Sequence, residues 1–170
     1  MSKKENQNSP ANNYTIENFS EHHLSDVLKI ESASNITPWS EGIFLKTLQS
    51  RSISFVIISE EKVIAFCIAN TVLDECHLQN IAVIEELRGK GIGKFMLNIL
   101  FKRAKLSDLH TVLLEVRESN KRARKFYQDN GFEELSVRKN YYKTKKGREN
   151  AVIMRLEVVW YLFLDFLVHL

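Results

Sequence analysis

The sequence predicts a mixed α/β fold, a sheet with helices packed on its faces. Three observations carry this. Segments with strand-like and helix-like patterning follow one another in the order strand, two helices, three strands, helix, strand, helix, two strands. The stretch from Cys76 to Val116 reads strand, helix, strand, and such a unit crosses over right-handed, which makes its strands parallel neighbours or near neighbours. A length of 170 residues with 44% apolar residues suits one domain with a sizeable core.

Tyr14 to Phe19 alternates weakly and reads as the first strand. Ser20 or Glu21 then starts a helix carrying Leu24, Val27, Leu28 and Ile30 on one side. Thr37-Pro38-Trp39 breaks that pattern. Ser40 is the N-cap candidate of a second helix containing Ile43, Phe44 and Leu48, and Glu41 favours its first turn. Ile53 to Ile58 and Val63 to Val72 are rich in β-branched and aromatic residues around the polar turn Glu60-Glu61-Lys62, a hairpin pattern. Cys76 to Val83 is the next strand. From Gly91 onward, Ile92, Phe95, Met96, Ile99 and Leu100 keep the spacing of a helix face packed on a sheet. Thr111 to Val116 is a short apolar strand interrupted only by Glu115. Asn120 caps a helix holding Ala123, Phe126 and Tyr127, which Asn130-Gly131 stops. Phe132 to Tyr142 and Ala151 to Val158 make the last two strands, joined by the basic loop Lys143 to Arg148. No internal repeat is present.

The segment from Gln79 to Gly93 carries the strongest chemical signal. The apolar Ile81-Ala82-Val83 leads through a polar loop to Arg88-Gly89-Lys90-Gly91-Ile92-Gly93 at a helix start. Backbone N–H groups there lack partners and carry partial positive charge, which suits a pyrophosphate. Glycines let the backbone approach closely, and Arg88 and Lys90 add charge, although charged residues in such loops are often merely solvated. A Walker A loop would need Ser or Thr after its Lys, and Phe95 follows Lys94. The glycine spacing and the residues after Val83 fit a dinucleotide fingerprint poorly.

A net charge of +3 with scattered Lys and Arg gives no case for nucleic acid. Cys67 and Cys76 lack metal-ligand spacing and read as reduced, buried thiols of a cytoplasmic protein; no metal is expected. Residues 1–13 form a polar tail without a signal-peptide apolar run and are expected to be disordered. Residues 158–170 are almost wholly apolar yet too short to span a bilayer. This extension is read as covering the sheet, joining two copies, resting on a membrane surface, or running on from a shifted frame. Packing against self is preferred, because the extension lacks the basic residues of an interfacial anchor.

The loop Arg88-Gly89-Lys90-Gly91-Ile92-Gly93, with Asn120, Phe126-Tyr127 and Asn130-Gly131-Phe132, resembles the GNAT family of N-acetyltransferases over residues 14–157. Within that family the chain looks most like the bacterial ribosomal-protein-alanine N-acetyltransferases of the RimI type. The segments that carry this are Pro38-Trp39-Ser40, Leu114 to Asn120, Arg138-Lys139-Asn140-Tyr141-Tyr142 and Gly147-Arg148-Glu149-Asn150-Ala151. Related N-terminal acetyltransferases share much of this pattern. The resemblance implies the GNAT acyl-CoA N-acyltransferase fold, a mixed, mostly antiparallel sheet with a central parallel, splayed strand pair and helices on both faces.

It also implies acetyl-CoA as co-substrate, with pantetheine amides along Ile81, Ala82 and Val83, pyrophosphate on Arg88, Gly89, Lys90, Gly91, Ile92 and Gly93, and Asn120 and Tyr127 near the other end. Amine attack on a thioester moves one proton off the ammonium and one onto the departing thiolate. By family match Glu115 is the general base, acting through water, and Tyr127 the general acid. The plainer readings are a Glu paired with a neighbouring Lys or Arg and an aromatic that belongs to the core. A phenol keeps its proton at neutral pH where a carboxyl does not. Transfer through Cys67 or Cys76 would want a base beside the thiol, and none is visible, so direct transfer in a ternary complex is preferred.

Trp39, Tyr141 and Tyr142 are candidates for the acceptor groove, with core packing as the alternative. The acceptor implied is the N-terminal α-amine of a ribosomal protein beginning with alanine. Its pKa of about 7.7–8.0 leaves far more neutral amine near pH 7 than a lysine offers. A broader protein N-terminal or small-amine acetyltransferase and a non-catalytic CoA-binding sensor are the rival readings.

Overall fold

Each strand and helix expected from the sequence is found, in the expected order, in the computed structural model, which describes residues 14–158. The tail 1–13 and all but the first residue of the apolar extension lie outside the described residues. By packing the chain divides into two units. Among the described residues, one comprises 14–71 and Gln79–Leu100; the other comprises Val72–Leu78 and 101–158.

The first unit begins with β1 (Thr15–Asn18), a 3-10 turn at Glu21–His23, α1 (Leu24–Ser34) and α2 (Glu41–Leu48). It continues with β2 (Phe55–Ser59) and β3 (Lys62–Val72), and takes in the later residues of β4 (Glu75–Val83). Its strand order is β1-β2-β3-β4. β1 and β3 flank β2 antiparallel, with Glu60 and Glu61 at positive φ in the β2–β3 turn.

β3 is buried without a break from Val63 to Ala69, as a strand covered on both faces must be. On one face Val27 and Ile30 of α1 and Phe44 of α2 pack with Val56, Phe66, Ile68 and Ala82. The Phe44 ring lies 5.7 Å from Phe66 and 5.4 Å from Trp39. α2 differs from the sequence reading in one respect. Ile43 is 41% exposed and Thr47 is buried instead, its hydroxyl satisfied by donating to the Phe44 carbonyl at 2.7 Å.

α3 (Ile92–Leu106) begins in the first unit and ends in the second, burying Ile92, Met96, Leu97, Leu100 and Phe101. The second unit adds β5 (Thr111–Arg117), α4 (Lys121–Asp129), β6 (Glu133–Thr144) and β7 (Gly147–Glu157), in the strand order β4-β5-β7-β6. The expected parallel pair is present, with Glu75–Leu78 in register against Thr111–Leu114. β5 and β6 both pair antiparallel with β7. Val158 is buried and donates its N–H to the His110 carbonyl at 2.8 Å.

Two details of the second unit depart from the sequence reading. β5 alternates: Val112, Leu114 and Val116 are buried while Thr111, Leu113, Glu115 and Arg117 are half-buried. Glu115 therefore interrupts no buried run. The basic loop from Lys143 to Arg148 contracts to Lys145-Lys146, because the ladder continues to Thr144↔Gly147. β6 is the exposed edge strand, where lysines reach water while the backbone stays paired, and such charges also block unwanted pairing.

Candidate active site

After β4 the chain makes a 3-10 turn at Glu85–Leu87 and enters α3 through Arg88–Gly91. Gly89 and Gly91 hold φ of +76° and +84°, values that L side chains resist. A Cβ built on either meets nothing within 4 Å. These glycines are thus needed for their backbone conformation rather than for lack of room. The first helical bond runs from Phe95 N–H to the Gly91 carbonyl at 3.0 Å, so the amides of Ile92, Gly93 and Lys94 precede any intrahelical partner. No acidic side chain sits in the first turn of α3 to neutralise that positive end.

Arg88 does something the sequence did not suggest. Its Nε donates to the Val83 carbonyl at 3.0 Å and its Nη2 to the Ser34 hydroxyl at 2.8 Å. The side chain ties the loop to the end of β4 and the last turn of α1. Ile81 and Val83 are half-buried around buried Ala82, and Lys90 is exposed. These residues and the loop lie in the first unit with Trp39, which is partly buried on the core at Phe44.

In the second unit Glu115, Tyr141 and Tyr142 come together. Arg138 Nη1 donates to Glu115 Oε1 at 3.0 Å, and the Arg138 guanidinium lies 4.3 Å from the Tyr141 ring centre. The Tyr141 phenol bonds to the Glu115 side chain, the main cause of its raised pKa. Tyr142 donates to the Glu115 backbone carbonyl at 3.1 Å; burial, with Glu115 nearby, pushes its pKa up to about 12. The two tyrosine rings meet edge to face at 5.0 Å.

A bulge between Arg138 and Tyr142 sets this up. Asn140 sits there at φ 52°, its N–H bonded to Asn150 Oδ1 at 3.0 Å and its carbonyl accepting from Arg148 at 2.8 Å. Bulges re-aim side chains in this way. Beside them Arg117 pairs with Glu149, which also accepts from the Ser119 hydroxyl at 2.6 Å. The Ser119 and Arg117 bonds hold the Glu149 carboxyl below the usual carboxylate range.

Asn120 and Tyr127 sit at opposite ends of α4. Asn120 is its N-cap, with Oδ1 accepting from Ala123 N–H at 3.1 Å. Tyr127 is 8% exposed, its ring 5.5 Å from Phe132 and 5.3 Å from Phe126. Cys67 and Cys76 are buried and not joined in a disulfide. Burial pushes the Cys76 thiol up to about 12, which removes it as a nucleophile near neutral pH.

One further cluster has metal-like proximity, Glu17 with His22 and His23. The Ser20 N–H donates to His23 Nδ1 at 3.2 Å. That bond places the ring proton on Nε2, which faces Glu17 Oε2 at 3.4 Å and is thereby unavailable to a cation. The arrangement is a capping box around Ser20.

Sequence reasoning passed over Glu31 entirely. It is completely buried on α1 and accepts from Asn35 Nδ2 at 2.6 Å, the Trp39 N–H at 2.9 Å and Asn80 Nδ2 at 3.0 Å. The one available signal was a charged residue at the helical spacing of Val27 and Ile30 on the buried face of α1.

Residues 17–132 match the Acetyltransferase (GNAT) family. Curated relatives include proteins named [ribosomal protein bS18]-alanine N-acetyltransferase. That of Haemophilus ducreyi is 37% identical over 142 residues, covering 83% of this chain and 98% of the relative. That of Haemophilus influenzae is 42% identical over 127 residues, covering 74% and 86%. The crystal structure of the ribosomal-protein-S18-alanine N-acetyltransferase from Escherichia coli superposes with a TM-score of 0.80 at 36% identity, over 85% of this chain and 94% of that one.

Proposed function

The chain belongs to the GNAT family of acetyltransferases, and we propose that it transfers acetyl from acetyl-CoA to the N-terminal α-amine of a ribosomal protein that begins with alanine. The single observation that carries the co-substrate half of this reading is the start of α3, where amides lacking intrahelical partners follow two positive-φ glycines with no acid in the first turn. Such a terminus suits the anionic pyrophosphate of CoA. The acceptor half rests on relatives named for alanine N-acetylation and matched over most of their length. Among the described residues no helix is long and apolar enough to cross a membrane, and we place the enzyme in the cytoplasm with its acceptor.

The residues then take the following roles. Ile81, Ala82 and Val83 receive the pantetheine amides, residues 88–93 the pyrophosphate, and Asn120 and Tyr127 border the thiol end. Trp39, Tyr141 and Tyr142 receive the acceptor. Its neutral amine attacks the thioester carbonyl, forming the N–C bond as the C–S bond breaks. Glu115 takes the proton released from nitrogen, through water, and Tyr127 gives one to the departing sulfur. Substrates bring no charge imbalance: one proton leaves nitrogen and one arrives at sulfur.

Gly91→Ala tests the pyrophosphate site. Alanine at φ +84° is strained by about 1–2 kcal/mol, so the variant should relax the loop. KM for acetyl-CoA is expected to rise roughly 5- to 30-fold with peptide KM unchanged. An unaltered acetyl-CoA KM would move the phosphate elsewhere.

The function is tested by intact mass of two peptides carrying an internal lysine, one with a free N-terminal alanine and one with it blocked, after incubation with acetyl-CoA and the protein. One acetyl group gained on the free peptide alone is expected. Labelling of both peptides would indicate loose amine specificity, and acetyl-CoA binding with labelling of neither would turn the reading toward a CoA-sensing module.

A further inference from the structure

A carboxylate without exposed surface is expensive unless several donors satisfy it. Glu31 is such a group, and its partners among the described residues are neutral amides from three places. Asn35 caps the end of α1, Trp39 lies in the segment before α2, and Asn80 belongs to β4. The helix itself has no need of this charge, since Val27 and Ile30 already fill the face that packs on the sheet. What the carboxylate fixes is the segment from 35 to 40, which has neither helix nor strand structure. One end is held through Asn35, the other through the Trp39 backbone, and both are referred to β4 through Asn80. That segment carries Ile36, 85% exposed, an apolar side chain presented to solvent on a backbone held at both ends.

We infer that Glu31 is a positioning residue for the acceptor. Its buried carboxylate clamps the 35–40 segment to β4 so that Trp39 and Ile36 present a preformed apolar surface to the incoming protein N-terminus. This rests on the reading of Trp39 as an acceptor contact. Holding the loop before binding spares the cost of ordering it in the complex, so its loss should fall on acceptor affinity rather than on acetyl-CoA.

Glu31→Ala removes all three bonds and Asn35→Ala one. Glu31→Gln can keep them, because its oxygen accepts from the Trp39 N–H while its amide donates to Asn35 and Asn80 after those side chains turn over. Relative to the parent, KM for an N-terminal-alanine peptide should rise roughly tenfold in Glu31→Ala and about threefold in Asn35→Ala, less than the full worth of the lost charged hydrogen bonds because the segment is loosened rather than removed. Glu31→Gln should return close to the parent, and acetyl-CoA Kd should stay level throughout.

The clamp is overturned if peptide KM in Glu31→Ala and Asn35→Ala stays at the parent value. It is equally overturned if peptide KM, acetyl-CoA Kd and melting temperature worsen together in both. A second readout is independent of any activity. With Trp160→Phe leaving Trp39 as the one tryptophan, acrylamide should quench its fluorescence more in Glu31→Ala than in the parent, and equal quenching would end the proposal. A parent that acetylates no peptide while its quenching contrast holds would count against the proposed function alone.

Discussion

Glu115→Gln is expected to lower kcat about 10- to 100-fold at pH 7, at or below the low end of what a general base contributes. The reason lies in the acceptor. With an α-amine pKa of about 7.7–8.0, roughly a tenth of the acceptor is already neutral at pH 7, so the base is needed for the rest and for the proton released during attack. As pH rises through the amine's own ionisation the deficit should shrink, moving the activity optimum upward. Glutamine can still accept from Arg138 at the position of Oε1 and from Tyr141, so the side chain should stay in place. The Arg138 and Glu115 side chains are 57% and 30% exposed, and a pair in that setting contributes at most about 1 kcal/mol. Melting temperature should therefore hardly move. A pH–rate profile that overlays the parent's would remove Glu115 as the base and leave it the plain partner of Arg138.

The features readable in sequence were those with a local cause. The order of elements followed from periodicity and from Asn120, whose capping bond is present. The parallel β4–β5 pair followed from the handedness of a strand-helix-strand crossover. The glycine loop followed from helix-start chemistry. Side-chain partners set by distant residues were not readable in this way. Arg88 and Ser34 are 54 positions apart and Glu31 and Asn80 are 49 apart, and no local pattern announces such a bond. From sequence Arg88 reads only as a charge beside a phosphate or as merely solvated, whereas its guanidinium ties the loop to α1. The bulge at Asn140 lies between these cases. Asparagine tolerates positive φ better than most residues, so Asn140 ahead of two tyrosines was a usable hint that Tyr141 and Tyr142 depart from simple alternation. For β5 the strand itself is legible, but a run of apolar residues does not say which of its faces is covered, and its odd-numbered residues are half-buried.

Tyr127→Phe should reduce kcat about 10²- to 10³-fold while acetyl-CoA Kd stays within roughly threefold of the parent. Phenylalanine keeps the ring contacts with Phe126 and Phe132, and the Tyr127 carbonyl keeps its bonds from Asn130 and Phe132 N–H, both at 3.0 Å. Only the hydroxyl is lost, so stability should change by no more than about 1 kcal/mol. If turnover and acetyl-CoA binding fall in proportion, Tyr127 is a binding or packing residue; if activity is intact, it is not the acid. The nature of the leaving group separates its role from that of Glu115. A thiolate departing from CoA, whose thiol resembles that of cysteine with a pKa of about 8.5, benefits from a proton at neutral pH. An acetyl thioester of a much more acidic thiol, built on the same pantetheine and pyrophosphate handle, can leave unprotonated. With that substrate Tyr127→Phe should recover most of its turnover relative to the parent, whereas Glu115→Gln should remain impaired because the ammonium proton still has to be removed.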